Sequence, residues 1–294
     1  MPSGAAAASA GAGLVASACS NDRPSDQADA ESLNGTARAP QRNPLRGKLL
    51  FHDTFDDGFN GWRDHYHGAG PAPALSLTSY PVFSGSHSLM IGCAAAPADD
   101  YADGWAPGYA AAAFKNLSRY YDGNLVTFSC YLTHGSDDSS AALGGFWLMI
   151  DTQSWDSTHR SFFKLQVKRD SSSGKRTLSI SGNDDSWKIV HDGADFLAGD
   201  NQNKFNFDWL SLTIDLDANG GKGGYSSCQI NNHTFDLTNA EAGTANEPPQ
   251  TGRTIDSFAG GLNFGVLALP GPAGSGESFL VIDQVIATVD EVNS

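Results

Sequence analysis

Residues 209–237 read WLSLTIDLDANGGKGGYSSCQINNHTFDL, and their reading decides the fold. Leu210, Leu212, Ile214 and Leu216 fall on one side of an extended chain, with Trp209, Ser211, Thr213 and Asp215 on the other. That period of two belongs to a β-strand with one face against a core. DANGGKGG follows, rich in residues that turn a chain unaided. Alternation then resumes, with Cys228 and Ile230 in phase. The stretch is a hairpin. DLDANG (215–220) also matches the first half of a calcium-binding EF-hand loop, but position twelve of that loop would be Ser226, and strands flank it. A hairpin turn is the better account.

Outward from the hairpin the same period recurs. In 161–169, Phe163, Leu165 and Val167 point inward and Lys164, Gln166 and Lys168 outward. Segments 124–133 and 176–182 alternate likewise, and 48–55, 87–92, 144–151, 259–269 and 278–289 are apolar strand candidates between Gly, Asp, Asn, Ser and Pro clusters. No run of ten or more residues has helical spacing, and no repeat has a fixed period. Of 33 acids only five are Glu and the other 28 are Asp, a turn-favouring bias matched by 33 Gly. About a dozen strands in one block predict an all-β, two-sheet antiparallel β-sandwich over 48–294.

The remainder of the chain differs. Residues 1–19 carry no charge and end in Ala16-Ser17-Ala18-Cys19, which resembles a bacterial lipoprotein cleavage box. Ala stands where the box usually begins with Leu, and the basic stretch of a signal is missing. The resemblance implies lipidation of Cys19 and a secreted or cell-surface protein on a lipid anchor. Residues 20–47 are polar and Pro-containing, and are expected to form a disordered tether. No segment after residue 48 approaches a membrane span. A net charge of −15 argues against a nucleic-acid partner. Cys93, Cys130 and Cys228 sit in phase with apolar strand faces and read as buried thiols. Nothing in the chain speaks to oligomeric state.

The phrases FDDGFNGW (55–62), PVFSGSHSLMI (81–91), the hairpin 209–237 and FLVIDQVIAT (279–288) occur in an order that resembles the concanavalin A-like lectin/glucanase superfamily. They are also similar to phrases of jelly-roll carbohydrate-binding modules. Either resemblance implies a jelly roll engaged with a glycan outside the cell, as binder or enzyme. The binding modules often hold a structural Ca²⁺ with acids from both ends of the chain. The matching residues here are Asp53 or Asp56 and Asp283, with Ser84 nearby.

Sugar binding needs aromatic rings beside hydrogen-bonding groups. Tyr101, Trp105 and Tyr109 in one polar loop, and Trp155 with Gln153 and His159 in another, supply that mixture, and outward Lys164 and Gln166 add polar contacts. Catalysis is the alternative. The superfamily's E-x-D-x-x-E glucanase motif and its lyase motifs are missing. A β-eliminating lyase needs a base and a cation, for which Arg63, His65, Tyr66 and Arg160 are the candidates. A structural or adhesion domain is a third class.

Overall fold

The computed structural model describes residues 47–66, 74–93, 111–117, 123–136, 143–153, 160–169, 175–182, 186–193, 206–221, 223–238, 261–270 and 278–290. The chain divides into two units, 1–38 and 39–294, and every described residue lies in the second. Cys19 and the expected tether fall outside the described residues.

Fifteen strands occur among the described residues. They begin with β1 (Lys48–Asp53), β2 (Arg63–Tyr66), β3 (Ala74–Thr78), β4 (Ser88–Cys93) and β5 (Ala111–Leu117). Next come β6 (Leu125–Ser136), β7 (Gly145–Gln153), β8 (Arg160–Arg169), β9 (Arg176–Ser181) and β10 (Trp187–Asp192). The last are β11 (Asp208–Asp215), β12 (Gly224–Ile230), β13 (His233–Asp236), β14 (Gly261–Leu269) and β15 (Ser278–Val289). One sheet has the order β13-β12-β11-β6-β15-β4-β3, with β1 also paired to β15. The other has the order β10-β9-β8-β7-β14-β5-β2. All pairings are antiparallel.

The path explains the architecture. From β4 to β7 the chain alternates between sheets, and β14 and β15 return to the middle of each. Thus β14 lies between β5 and β7, and β15 between β4 and β6. This nesting is the jelly-roll sandwich that the superfamily resemblance implies. The hairpin over 209–237 forms as expected, with Leu210 opposite Ile230 and Leu212 opposite Cys228. Its turn places Asn219 and Gly220 at φ of 54° and 70°, the left-handed region that Asn and Gly tolerate.

The core lies between the sheets. Leu210, Leu212 and Ile214 meet Phe128, Phe163, Leu165 and Phe264 there, all essentially inaccessible to water. Phe128 and Phe264 approach to 5.2 Å between ring centroids across the interface. Cys93, Cys130 and Cys228 are buried thiols, as expected. Burial pushes the Cys93 thiol up to about 12, and raises the other two as well. These are packing groups, not nucleophiles.

The opening segment enters as the edge strand β1, turns through 55–62, and buries Phe55 and Trp62. The turn is closed by Gly58 N–H donating to the Phe55 carbonyl and Trp62 N–H donating to the Phe59 carbonyl.

Candidate functional site

Strand parity assigns the two faces of the seven-stranded sheet. Phe146, Leu148 and Ile150 of β7 and Phe163, Leu165 and Val167 of β8 face the core. Trp147, Met149 and Asp151 therefore face out, as do Phe162, Lys164, Gln166 and Lys168. The register builds continuous rows across this outer face. One row pairs His65 with Ala112, Ala112 with Leu267, Leu267 with Trp147 and Trp147 with Gln166. The next runs from Arg63 through Phe114, Gly265 and Met149 to Lys164. A third links Asn116, Asn263, Asp151 and Phe162.

The centre of the face is apolar. Ala112, Trp147, Leu267 and Leu269 form a second small hydrophobic cluster with Phe114 and Trp187 packed on it. The Trp147 and Trp187 rings lie 5.1 Å apart. Trp147 is buried, Phe114 and Trp187 against it are half-buried, and Phe162 on the same face is half-buried too. Gly265 explains how Phe114 lies down on the sheet: a Cβ at that position would stand 2.6 Å from the ring.

Cations sit among these rings. Lys164 Nζ is 5.3 Å from the Trp147 centroid and 5.7 Å from that of Phe162. The Arg160 guanidinium lies over Phe162 at 4.5 Å. Arg160 also donates twice to Asp151, Nε to Oδ1 at 2.9 Å and Nη2 to Oδ2 at 2.6 Å. Asn263 Nδ2 donates to the same Oδ2 at 2.9 Å. Asp151 is buried, so this planar two-point contact compensates its charge and fixes the guanidinium. The hydrogen bonds to Asp151 raise the Arg160 pKa further. Half-buried rings, a fixed guanidinium, an ammonium and the Gln166 amide thus share one face.

The candidate residues fare unequally. Lys164 and Gln166 take the outward positions expected of them, and Gln153 lies on the same sheet at the end of β7, opposite Arg160. Tyr101, Trp105, Tyr109, Trp155 and His159 lie outside the described residues. Of the candidate catalytic group, the two arginines do not come together. Arg63 and Arg160 are on β2 and β8, four strands apart in the sheet order, which is roughly 19 Å at the usual interstrand spacing. Tyr66 pairs with Ala111, a core-facing position, whereas His65 pairs with Ala112 on the outer row. Neighbours in a strand alternate between faces, so these two backbone positions serve opposite sides.

The expected calcium ligands also have separate partners. Asp53 Oδ2 accepts from Lys115 Nζ at 2.6 Å and from Trp62 Nε1 at 2.8 Å. Asp56 Oδ1 accepts from Ser86 N–H, Ser86 Oγ and His87 N–H, and these bonds, the Ser86 amide first, lower its pKa. Asp283 Oδ2 accepts from the Phe83 and Ser84 amides and from Ser88 Oγ, while its Oδ1 accepts from Gln284 N–H. Ser84 Oγ accepts from Gln284 Nε2. An ammonium bridges to Asp53 Oδ2 while amides engage Asp283 and one oxygen of Asp56, so the residues are held by separate partners. Among the described residues, no group of three His, Cys, Asp or Glu side chains is placed to hold a metal ion.

Phe114, Phe162, Trp187 and Asn263 were not singled out in the sequence. Phe162 was within reach, because it shares the outward parity of Lys164. Asn263 was not, because only the register of β14 against β7 brings it to Asp151.

No known protein family and no curated protein matches the chain. Among solved structures it is similar to an endo-β-1,4-glucuronan lyase from the fungus Trichoderma reesei, at 12% identity and a TM-score of 0.45, over 82% of this chain and 96% of that one. It is also similar to the cellulose-induced protein Cip1, at 12% identity and a TM-score of 0.47, over 83% and 99% of the two chains. A β-glucanase from Bacillus licheniformis gives 11% identity and a TM-score of 0.41, over 84% and 100%. Likeness at these identities concerns the fold alone.

Proposed function

We propose that this protein is an exported glycan-recognition protein that binds a polysaccharide across the outer face of its seven-stranded sheet. One observation carries the reading: half-buried Trp187 and Phe114 pack on a buried Trp147, Lys164 lies between Trp147 and the half-buried Phe162, and Arg160 lies over Phe162. Sugar rings present C–H faces to aromatic rings and hydroxyl or carboxylate groups to cations and amides. Asp151 and Asn263 hold Arg160 in place before any ligand arrives, which reduces the ordering cost of binding. Cys19 supplies the anchor in this reading. The separation of Arg63 and Arg160 across four strands supports binding over a cleavage site that would use both cations.

The test is size-exclusion chromatography with light scattering on the chain incubated with neutral and uronate-containing polysaccharides. Co-elution with a polymer of unchanged mass is expected, reduced at least tenfold in affinity by Lys164→Ala or Trp187→Ala. A polymer that shortens with time would replace this reading with that of an enzyme. Retention that ignores both substitutions would remove the face from the account.

A further inference from the structure

The opposite sheet carries a second group of aromatic rings on its outer face. Tyr131 of β6 lies beside Trp209 of β11, with centroids 4.8 Å apart. Phe83, from the loop between β3 and β4, stacks on Tyr131 at 3.7 Å with an interplanar angle of 12°. Phe207 meets Phe83 edge-on at 5.5 Å. Trp209 is buried, while Phe83, Tyr131 and Phe207 are half-buried.

Two features separate this group from ordinary packing. First, the loop that carries Phe83 is pinned at Phe83 and over the three residues that follow it. The Phe83 and Ser84 amides donate to Asp283, which is fully buried, at 3.0 and 3.2 Å. Two residues later, the Ser86 amide and hydroxyl donate to Asp56 at 2.6 and 2.8 Å. Gly85 lies between them at a φ of 81°, and a side chain there would run into the Asp56 carboxylate. A carboxylate buried to hold an exposed loop costs stability, whereas an apolar residue would cover the sheet without that cost. Second, a polar relay edges the rings. Gln284 Nε2 donates to Ser84 Oγ at 2.6 Å, and Gln284 Oε1 lies 2.6 Å from His52 Nε2. Ser84 and His52 are exposed. The bulge in β15 turns Gln284 outward, at a φ of 48°.

We propose that this surface is a second glycan site, which takes a neutral, hydroxyl-rich chain with a pyranose ring stacked on Phe83. Gln284, Ser84 and His52 offer both donors and acceptors to hydroxyl groups. The acids nearby, Asp56, Asp208 and Asp283, disfavour an anionic chain, in contrast to Lys164 and Arg160 on the other sheet. The protein then holds one chain on each face and bridges them.

Affinity electrophoresis through gels containing xylan, hydroxyethyl cellulose, galactomannan or polyglucuronate tests this. At least one neutral polymer is expected to retard the wild type. Phe83→Leu, which keeps an apolar side chain but removes the ring face, and Gln284→Ala are each expected to weaken that retardation about tenfold. Thermal unfolding of Gln284→Ala, whose side chain bonds only at the surface, shows whether any loss comes from misfolding. Retardation of no neutral polymer, or equal retardation of wild type, Phe83→Leu and Gln284→Ala, overturns the second site. So does loss of neutral-polymer retardation in Lys164→Ala alone. Retention of polyglucuronate reports on the first face independently.

Discussion

Lys115 leaves β5 and ends between Asp53 Oδ2 and the Asn60 carbonyl, each at 2.6 Å, with its ammonium 4.6 Å from the Phe51 centroid. It thereby ties β1 of one sheet, and the turn that follows it, to a strand of the other. Both side chains are largely buried, at 11% and 8% exposure, so Lys115→Met strands a carboxylate and is expected to cost about 3 kcal/mol in urea unfolding. Adding Asp53→Asn should recover much of that loss, and chelators should leave the wild-type midpoint unmoved. Asp56 and Asp283 hold the neighbouring loop with opposite pH dependence. The hydrogen bonds to Asp56 lower its pKa below the ordinary 3.8, so its contribution is present above that value and is lost as pH falls through the folded pKa. Burial raises the Asp283 pKa, so its contribution is full below 3.8 and is lost as pH rises through the folded value. Asp283→Asn cannot ionise, so the stability of wild type relative to this variant should fall between pH 3 and 7 in thermal unfolding. A constant difference across that range would contradict the raised pKa. The sequence drew attention to all three acids and to Ser84, but not to the Lys115 ammonium or the Phe83 amide. Lys115 lies 62 residues from Asp53 and Phe83 200 from Asp283, beyond any local pattern.

Tyr225 shows how one strand can complete another sheet. Its side chain crosses from β12 to the point where β8 and β9 part beyond the pair Leu165 and Ile180. There its hydroxyl accepts from the Lys164 amide at 2.9 Å and lies 2.9 Å from Ser181 Oγ and 3.1 Å from the Ser181 carbonyl. Burial pushes its phenol up to about 12. Tyr225→Phe leaves the Lys164 amide without this acceptor and is expected to cost about 2 kcal/mol. Hydrogen exchange at that amide should quicken, while the Phe163 contact at 5.3 Å persists. Strands with one clean apolar face, such as β8 and β11, were legible from period alone. β5 was not, because AAAFKNL lacks the β-branched residues that mark strands, and its place between β14 and β2 is set by pairing. β7 was seen as a strand, but its first seven residues are all buried, which hid the outward parity of Trp147.

For the whole molecule, period and turn chemistry were enough to give the two-sheet sandwich, because alternation specifies which face each strand buries. They could not align the strands, and the candidate faces are products of that alignment. Aromatic loops drew the sequence reading, whereas the rings and cations of the first face stand on the sheet itself. The position of the last strands has a further consequence. β14 and β15 occupy the middle of their sheets, and β15 pairs with β1, β4 and β6. Until residues 261–289 are available, each sheet is in two halves with open edges. A nascent chain leaving the ribosome therefore has no closed sandwich to collapse into over most of its synthesis. Folding waits for the closing segment and then joins distant partners at once, the slow, all-or-none route of high-contact-order topologies.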